Sequence, residues 1–320
     1  MADTALVRIG ARGSKLSLAQ SGMIQRRIAV ALGASEDDAA QVCPIITITT
    51  SGDRIQDRRL QEVGGKGLFT KEIEEALLDG RIDCAIHSLK DMPAQLPPGL
   101  VIAAVPERED PADAFVSLNY ATLADLPQGA RLGTASLRRQ AQALHQRPDL
   151  EVVMLRGNVD TRLAKLRAGE ADAILLALSG LRRLGLGDVP SSLWDPQECP
   201  PAPGQGALAI ETREDRADQP WLAALRHAPT AIAVAGERGA MLALEGSCRT
   251  AIGAYGRYAA GTLRLTVEAL TPDGVLRFRR EAEADIGEGD VAEAAASRLG
   301  LELGQSILAE GGDKLRLDEA

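Results

Sequence analysis

Cationic side chains follow several of the predicted strands. In open α/β sheets, ligands bind in the crevice beyond the carboxyl ends of the strands, so these positions are the first candidates for chemistry. Five strand ends carry Arg or Lys mixed with hydroxyl, amide or acidic groups: Arg12, Ser14 and Lys15; Lys90 and Asp91; Thr134, Ser136, Arg138 and Arg139; Arg156, Asn158 and Arg162; Arg182 and Arg183. Because a guanidinium group grips a carboxylate bidentately, this pattern predicts a cleft for a ligand with several carboxylates or phosphates.

Two of these cations, Arg138 and Arg139, fall at the start of a predicted helix. A cation at a helix N-terminus costs about 0.3–1 kcal/mol against the macrodipole, and an anion bound between the two would explain them. Taken singly, each arginine is better explained as a solvated helix-start or loop residue, because most charged side chains are exposed. Repetition at five strand ends is what favours a ligand site.

The cysteines are the other candidates for chemistry. Their spacings suit neither a zinc site nor a disulfide framework, so we predict free thiols and no metal: Cys43, Cys84, Cys199 and Cys248. Cys248 lies beside Arg249 in a Gly-containing stretch typical of an accessible loop, and nearby positive charge favours the thiolate. A small buried thiol is the alternative, and it suits Cys84 better because Cys84 lies inside an apolar strand.

Strands alternate with helices through the first two thirds of the chain, which predicts a parallel-rich α/β architecture. The predicted strands are 7–11, 42–49, 83–89, 100–105, 131–133, 152–155 and 173–178, and the predicted helices are 14–32, 70–78, 137–146, 159–168 and 290–308. Beyond about residue 230, the alternation in 263–269 predicts a half-exposed antiparallel strand. Pro-rich stretches at 93–98, 106–111 and 199–206 are typical of crossings between domains.

Composition excludes several classes of function. The net charge is −9 and aromatic residues make up 2%, which argues against general nucleic-acid binding. No apolar run approaches the ~18 residues of a membrane span, and we find no signal peptide, so we expect a cytoplasmic protein. The glycines around Lys66 lack the spacing of a phosphate loop, and no GxGxxG follows a strand.

Seven segments of the chain resemble the porphobilinogen deaminase family, and they occur in family order. They are 63–69 (VGGKGLF), 86–93 (IHSLKDMP), 133–140 (GTASLRRQ), 155–163 (LRGNVDTRL), 180–185 (GLRRLG), 203–207 (PGQGA) and 244–248 (LEGSC). The resemblance implies an α/β protein of three domains, with two periplasmic-binding-protein-like lobes plus a small α/β C-terminal domain. The implied boundaries are 1–106 with 207–226 for the discontinuous first domain, 107–206 for the second, and 227–320 for the third.

The resemblance also implies an activity. The family joins four porphobilinogen molecules head to tail into the linear tetrapyrrole hydroxymethylbilane, releasing ammonia, on a dipyrromethane primer held to a cysteine by a thioether. The matching residues are Cys248 for attachment, Asp91 for catalysis, Lys90, Thr134, Ser136, Arg138, Arg139 and Arg162 for the cofactor, and Arg12, Ser14, Arg156 and Arg183 for the substrate. Arg238 matches a further family arginine. A monomer acting on a small molecule, without nucleic-acid or membrane partners, is expected.

The chain departs from the family pattern in two places. Ala135 stands where serine is usual, and Arg249-Thr250-Ala251 follows the attachment cysteine where a hydrophobic residue and proline are usual. Two other classes of protein remain as alternatives. A non-enzymatic two-lobed anion-binding protein would explain the strand-end cations, but not Cys248 or a third domain. The effector domain of a transcription regulator would need a basic helix-turn-helix segment, which we do not find.

Overall fold

The computed structural model describes residues 6–54, 68–244 and 251–315. The chain divides into two compact units. The first contains Met1–Arg108 and Ala207–Ala231, and the second contains Glu109–Gly206 and Ile232–Ala320. Two of the unit boundaries fall within or beside the Pro-rich stretches. The division into three domains stays a prediction.

The described residues form strands and helices with the following bounds. The strands are β1 (Ile9–Ala11), β2 (Ile45–Thr47), β3 (Cys84–Ser88), β4 (Leu100–Ala104), β5 (Asp113–Ser117), β6 (Arg131–Gly133), β7 (Glu151–Val153), β8 (Ala173–Ala177), β9 (Ser192–Leu193), β10 (Leu208–Arg213), β11 (Ala251–Ala259), β12 (Thr262–Leu270) and β13 (Arg277–Asp285). The helices are α1 (Lys15–Ala31), α2 (Ala39–Val42), α3 (Ser51–Arg54), α4 (Lys71–Leu78), α5 (Leu137–Gln146), α6 (Val159–Arg167), α7 (Leu178–Arg183), α8 (Pro220–Ala223), α9 (Ala228–Leu244) and α10 (Gly289–Gly311).

The first unit is built on a five-stranded sheet in the order β2-β1-β3-β10-β4. β1 pairs in parallel with both β2 and β3, while β10 pairs antiparallel with β3 and β4. The sheet is therefore mixed, and the parallel-rich prediction is wrong for its β10 side. The physical reason is that β10 comes from a distant stretch of sequence. The crossover rule that keeps consecutive βαβ strands parallel does not apply to it.

The two faces of β3 are covered by different helices. Ile24 and Ile28 of α1 belong to the same core cluster as Cys84 and Ile86. Ala85 instead belongs to a cluster with residues of α4. Because successive side chains of a strand point to opposite faces, β3 is buried on both sides and its end is held by two helices.

The second unit contains a sheet with the same arrangement, in the order β7-β6-β8-β5-β9. β6 pairs in parallel with β7 and β8, and β5 lies antiparallel to β8 and β9. The position of each strand matches that of a strand in the first unit. The sequence shows no internal repeat, so the same topology is built from unrelated side chains.

A second sheet in this unit is an antiparallel meander, β11-β12-β13. The predicted strand at 263–269 lies inside β12, where Leu263 and Val267 pack against the helices α9 and α10. β12 is more buried than predicted, because its other face carries the fully buried Glu268, which accepts a hydrogen bond from Gln142. Together the three sheets and their helices confirm the α/β fold class. None of the described helices has the length and apolar character of a membrane span.

The packing of α9 against α10 yields a stability prediction. A Cβ atom at Gly300 would lie 1.8 Å from the carbonyl oxygen of Gly236, so the helices touch through backbone. We expect Gly300→Ala to lower the free energy of unfolding by about 1–3 kcal/mol. Gly22→Ala in α1 is the matched control, because its nearest neighbour is the Arg26 side chain at 3.8 Å. It should stabilise by about 0.5–1 kcal/mol. Denaturant unfolding measures both, and a neutral Gly300→Ala would contradict the backbone contact.

Candidate active site

In the first unit, two strand ends bring predicted site residues to one edge of a sheet. β1 and β3 are parallel neighbours, with Ile9 opposite Cys84. Arg12 follows the end of β1, and Lys90 and Asp91 follow β3 in a 3-10 turn. These side chains therefore start from the same sheet edge, as the sequence predicted.

Arg12 already has a carboxylate partner within the protein. Its Nε lies 3.1 Å from Oδ1 of Asp53, its Nη2 also contacts Asp53, and its guanidinium stacks on the Phe69 ring at 4.0 Å. Burial would raise the pKa of Asp53, but hydrogen bonds from Arg12 and Thr50 outweigh it, and the pKa is lowered. Sequence reasoning missed Asp53. The available signal was an acidic residue shortly after a predicted strand, opposite the cation that follows the neighbouring strand.

Ser14 begins helix α1 as its N-cap. Its Oγ accepts a hydrogen bond from the backbone N–H of Ser17 at 3.2 Å. A hydroxyl group that accepts in a cap still has its own proton to donate. Ser14 can therefore donate to a ligand oxygen without giving up its role in the helix.

The Asp91 carboxylate is exposed. No donor within the described parts of the chain reaches it, while the neighbouring Lys90 is half-buried. An acceptor without a protein partner at a sheet edge is available to a substrate N–H. The catalytic assignment of Asp91 stays a prediction, and this geometry fits it.

In the second unit, the strands β6, β7 and β8 are parallel neighbours that end at a common edge. The segments that follow these strands, made of the loops and the helices α5, α6 and α7, contain all the site residues predicted for this unit outside the C-terminal region: Thr134, Ser136, Arg138, Arg139, Arg156, Arg162 and Arg183. The structure thus brings together residues that lie up to 49 positions apart in the sequence (183 − 134 = 49).

Arg138 and Arg139 are buried and grip the carboxylate of Asp113. Arg138 Nη1 lies 2.6 Å from Oδ2, and Arg139 Nη2 lies 2.7 Å from Oδ1. Gln205 Nε2 donates to the same Oδ1 at 2.9 Å. Burial would raise the pKa of Asp113, but the two arginines hold it well below its usual range. The anion that the sequence placed between these arginines is thus provided, at least in part, by the protein itself.

Sequence reasoning missed Asp113 because its partners are 25 and 26 residues away. The available signal was an acidic residue at the start of an apolar segment that follows a Pro-rich crossing. The roles of Arg138 and Arg139 in cofactor binding stay predictions. Their guanidinium groups are fixed in place by Asp113 before any ligand binds.

The loop after β6 is ordered by its own hydroxyl groups. Ser136 is the N-cap of α5 and accepts from the backbone N–H of Arg139 at 3.4 Å. Thr134 is buried, and its Oγ1 accepts from the backbone N–H of Ser136 at 3.1 Å. Ala135, where the family has serine, is half-buried between them. Each hydroxyl keeps a proton that can be donated to a ligand carboxylate.

Three arginines of this edge have buried N–H groups that find no acceptor among the described residues. They are Nε of Arg138, Nη1 of Arg156 and Nε of Arg183. Arg183 donates through Nη2 to the carbonyl oxygen of Gly206 at 2.6 Å, and burial lowers its pKa while Glu109 opposes that change. A buried donor without a partner costs about 1–3 kcal/mol, so carboxylate ligands would satisfy these groups. The donor set therefore fits a polycarboxylate such as the dipyrromethane cofactor.

The other predicted cations are engaged differently. Arg162 donates through Nε to the carbonyl oxygen of Gly157 at 2.8 Å. Arg182, from the strand-end set, pairs with Glu109 at 2.8 Å and with Asp110 at 3.5 Å. Arg182 is therefore held by a solvent-exposed ion pair, while Arg162 is anchored to the backbone of its own loop.

Cys248, the predicted attachment residue, lies outside the described residues. The described cysteines are poor nucleophiles by contrast, because burial raises the pKa of Cys43 to about 11 and that of Cys199 to about 12, and also raises the pKa of Cys84. A protonated thiol attacks slowly. Within the described ranges, no group of His, Cys, Asp and Glu side chains could hold a metal ion.

The helix that leads towards Cys248 is tied to two other segments. Glu237 of α9 is fully buried, and its carboxylate accepts from the backbone N–H groups of Gly204 at 2.7 Å and Gly256 at 2.8 Å. One side chain thereby joins α9 to the PGQGA segment and to β11. Arg238, the next residue, is half-buried.

Two α/β units with cations beyond the ends of their strands define the class of protein, and comparison with known proteins gives the family. Residues 7–220 match the family model "Porphobilinogen deaminase, dipyromethane cofactor binding domain", and residues 231–309 match "Porphobilinogen deaminase, C-terminal domain". The chain belongs to the porphobilinogen deaminase family. This confirms the resemblance seen in the sequence and the dipyrromethane cofactor.

Curated relatives match over nearly their whole length. A porphobilinogen deaminase of Caulobacter sp. (strain K31) is 70% identical over 314 residues, and one of Phenylobacterium zucineum (strain HLK1) is 67% identical over 315 residues. In each case the match covers 98% of both chains. Among solved structures, a periplasmic substrate-binding protein from Coxiella burnetii covers 72% of this chain and 96% of its own, at 17% identity and a TM-score of 0.44. A TM-score this low supports no conclusion about this protein.

The buried Asp113 pair yields a prediction. Asp113→Asn removes the negative charge that two buried arginines share, so we expect a loss of about 3–5 kcal/mol in the free energy of unfolding at neutral pH. The folded-state pKa of Asp113 is lowered, so its stabilisation is present above the unfolded pKa of about 3.9 and is lost as the pH falls through the folded pKa. The free energies of unfolding of the variant and the wild type, measured as a function of pH, should converge in acid.

Asp149→Asn is the control for this prediction. Asp149 also pairs with an arginine, Arg147, at 2.7 Å, but the pair is on the surface. Its removal should cost less than removal of Asp113 at neutral pH. Equal losses in the free energy of unfolding for the two variants would refute the assigned role of burial. So would pH profiles of that free energy that stay parallel for the wild type and Asp113→Asn down to acid pH.

Proposed function

We propose that this protein condenses four porphobilinogen molecules head to tail into hydroxymethylbilane, releasing ammonia at each step. Membership of the porphobilinogen deaminase family, with relatives 67–70% identical over 98% of both chains, is the observation that carries the proposal. The protein is then a transferase. A cytoplasmic location, a monomeric state and the three domain boundaries predicted from the sequence are part of the proposal.

The charge pattern supports this substrate. Each porphobilinogen unit carries an acetate and a propionate, so the growing chain adds two carboxylates with every ring. Arg12, Ser14, Arg156 and Arg183 are the residues proposed to bind them. The buried N–H groups of Arg156 and Arg183 are suited to the task, because a carboxylate would fill an unsatisfied hydrogen bond rather than compete for an existing one.

The cofactor is proposed to be bound through Cys248 by a thioether. The residues that would hold its carboxylates and pyrrole nitrogens are Lys90, Thr134, Ser136, Arg138, Arg139 and Arg162. When bound, dipyrromethane supplies the free pyrrole carbon to which the first substrate unit is joined. The arginines are fixed by Asp113 and by backbone carbonyls, so their orientation is set before the ligand arrives.

Asp91 is proposed to stabilise the charge that develops on the substrate. When the C–N bond of the protonated aminomethyl group breaks, its electron pair leaves with the nitrogen, which departs as ammonia, and the substrate becomes an azafulvene cation. A fixed carboxylate facing the pyrrole N–H lowers the energy of this cation. The new C–C bond then forms, and the pyrrole carbon loses its proton. The exposed Asp91 carboxylate is placed to accept or return protons during these steps.

A non-enzymatic two-lobed anion-binding protein is the alternative. It would use the same strand-end cations, and the pairs of Arg12 with Asp53 and of Arg138 with Asp113 suit it equally well. It gives no reason for the match of residues 231–309 to the C-terminal domain of the deaminases. The covalent primer separates the two functions experimentally.

The attachment of the primer is tested by mass. Cys248→Ser removes the nucleophile, so the purified variant should have only the mass of its polypeptide. The wild type should carry the additional mass of two pyrrole units. Cys199→Ser is the control and should retain the added mass, because burial keeps the Cys199 thiol protonated. A wild type with no added mass, both as purified and after incubation with porphobilinogen, would refute the proposed function.

The catalytic role of Asp91 is tested by turnover. Asp91→Ala should retain the primer mass while kcat falls about 100- to 1,000-fold, the usual effect of removing one preorganised electrostatic partner. Asp37→Ala, which removes an exposed carboxylate outside the strand-end loops, should leave kcat unchanged. Steady-state consumption of porphobilinogen measures both. Normal turnover in Asp91→Ala would show that another group stabilises the cation.

A further inference from the structure

Three titratable side chains meet in the interior of the first unit, and the proposed mechanism uses none of them. Glu74 of α4 is 7% exposed, His87 of β3 is 6% exposed, and Glu211 of β10 is 0% exposed. Charged groups are rarely buried to this extent unless they are paired. A buried cluster with two acidic groups and one imidazole therefore requires an explanation.

The cluster forms because of the register between β3 and β10. Ala85 lies opposite Glu211, and His87 lies opposite Ala209. His87 and Glu211 are thus diagonal neighbours on one face of the sheet, and His87 Nε2 lies 3.0 Å from Glu211 Oε2. An ionised carboxylate can only accept, so the imidazole N–H donates.

His87 of this pair lies near the end of β3, just before the Lys90–Asp91 turn. Ser88, whose side chain points to the opposite face of β3, is linked to Gln20 of α1 at 3.0 Å. The backbone N–H of Leu89 then donates to the carbonyl oxygen of Ala207 at 3.1 Å. The last residues of β3 are therefore tied on both faces and along the strand edge, immediately before the chain reaches Asp91.

The imidazole satisfies only one of the two acids. Glu74 Oε1 is buried without a donor among the described residues, as is Glu211 Oε1. The groups that act on Glu74 are Glu211 from β10, His87 from β3, and Thr70 and Glu75 from its own helix region, while β1, which also packs against α4, has no titratable residue. A second ionised carboxylate here would be an uncompensated buried charge, which is strongly unfavourable.

We propose that His87 and Glu211 form a positioning pair for the Lys90–Asp91 turn, and that the adjacent Glu74 carboxyl remains protonated in the folded protein. His87 and Glu211 fix the end of β3, and a neutral Glu74 adds no further charge to this buried cluster. In support, burial raises the pKa of Glu74, and the Glu211 carboxylate adds to that rise against Thr70 and His87. The positioning role rests on the proposed function, while the protonation of Glu74 does not.

Stability as a function of pH tests the protonation of Glu74. For an acid with a raised folded-state pKa, the stabilisation is present below the unfolded pKa of about 4.3 and is lost as the pH rises through the folded pKa. Glu74→Gln mimics the protonated carboxyl. The wild type should therefore lose thermal stability relative to Glu74→Gln as the pH rises above the unfolded pKa of about 4.3. Asp37→Asn, which removes an exposed carboxylate outside the cluster, should parallel the wild type.

Steady-state kinetics test the positioning pair. Glu211→Gln and His87→Leu should lower kcat by about 10- to 100-fold with KM within about twofold, because the substrate sites remain while the Asp91 turn shifts. His87→Gln keeps an N–H donor near the Nε2 position and should recover most of that loss. A purely structural role would lower the thermal midpoint of the three variants without this split between kcat and KM.

The outcomes are separable. If the thermal stability of Glu74→Gln changes with pH in parallel with that of the wild type, the assignment of a protonated Glu74 is overturned. Unchanged kcat in Glu211→Gln, or equal loss in His87→Gln and His87→Leu, would overturn the positioning pair. A wild type that has no primer mass and does not consume porphobilinogen would refute the proposed function, and the pH profile of Glu74→Gln would still decide the state of that carboxyl.

Discussion

Guanidinium groups that lie close together repel one another. The ion pair between Asp113 and two arginines shows how this chain reduces that repulsion. Asp113 is buried, and it divides its two oxygens between Arg138 and Arg139. Arg12 is held in the same way by Asp53. Each internal acid lowers the local electrostatic cost of a cation and also fixes its direction. The strand-end arginines are in this sense preorganised, and little ordering remains for the ligand to provide.

The same sheet arrangement appears twice, and it explains why both units carry cations at a sheet edge. In each sheet, three parallel strands end at a common edge, and an antiparallel strand closes the fourth position. Arg12 and Asp91 follow β1 and β3, and the arginine pair lies in the first turn of α5, which follows β6. A chain that builds this arrangement places its polar loop residues together without any similarity between the two sequences.

Much of this could be predicted from sequence because the signals were local. Short apolar segments predicted β3 and β8, and the predicted helices at 14–32 and 137–146 match α1 and α5 within one residue at each end. β10 was missed because its alternation is broken by buried polar residues, and its place in the sheet depends on pairing with distant strands. Asp53 and Asp113 were missed for a related reason: an ion pair between residues 25 to 41 positions apart leaves no periodic trace. The positions of Cys248 and its neighbours lie outside what the structure describes.

The backbone contact between α9 and α10 affects the C-terminal end of α9. Where Gly236 and Gly300 meet, no side chain separates the helices, so neither helix can slide or rotate without a collision between main-chain atoms. Leu244 is the last described residue before the segment that contains Cys248. It therefore lies at the end of a helix, α9, that is held in position by α10. A truncation that removes α10 would remove the support of α9. It would therefore affect Leu244, which lies more than 40 residues before α10 in the sequence (289 − 244 = 45).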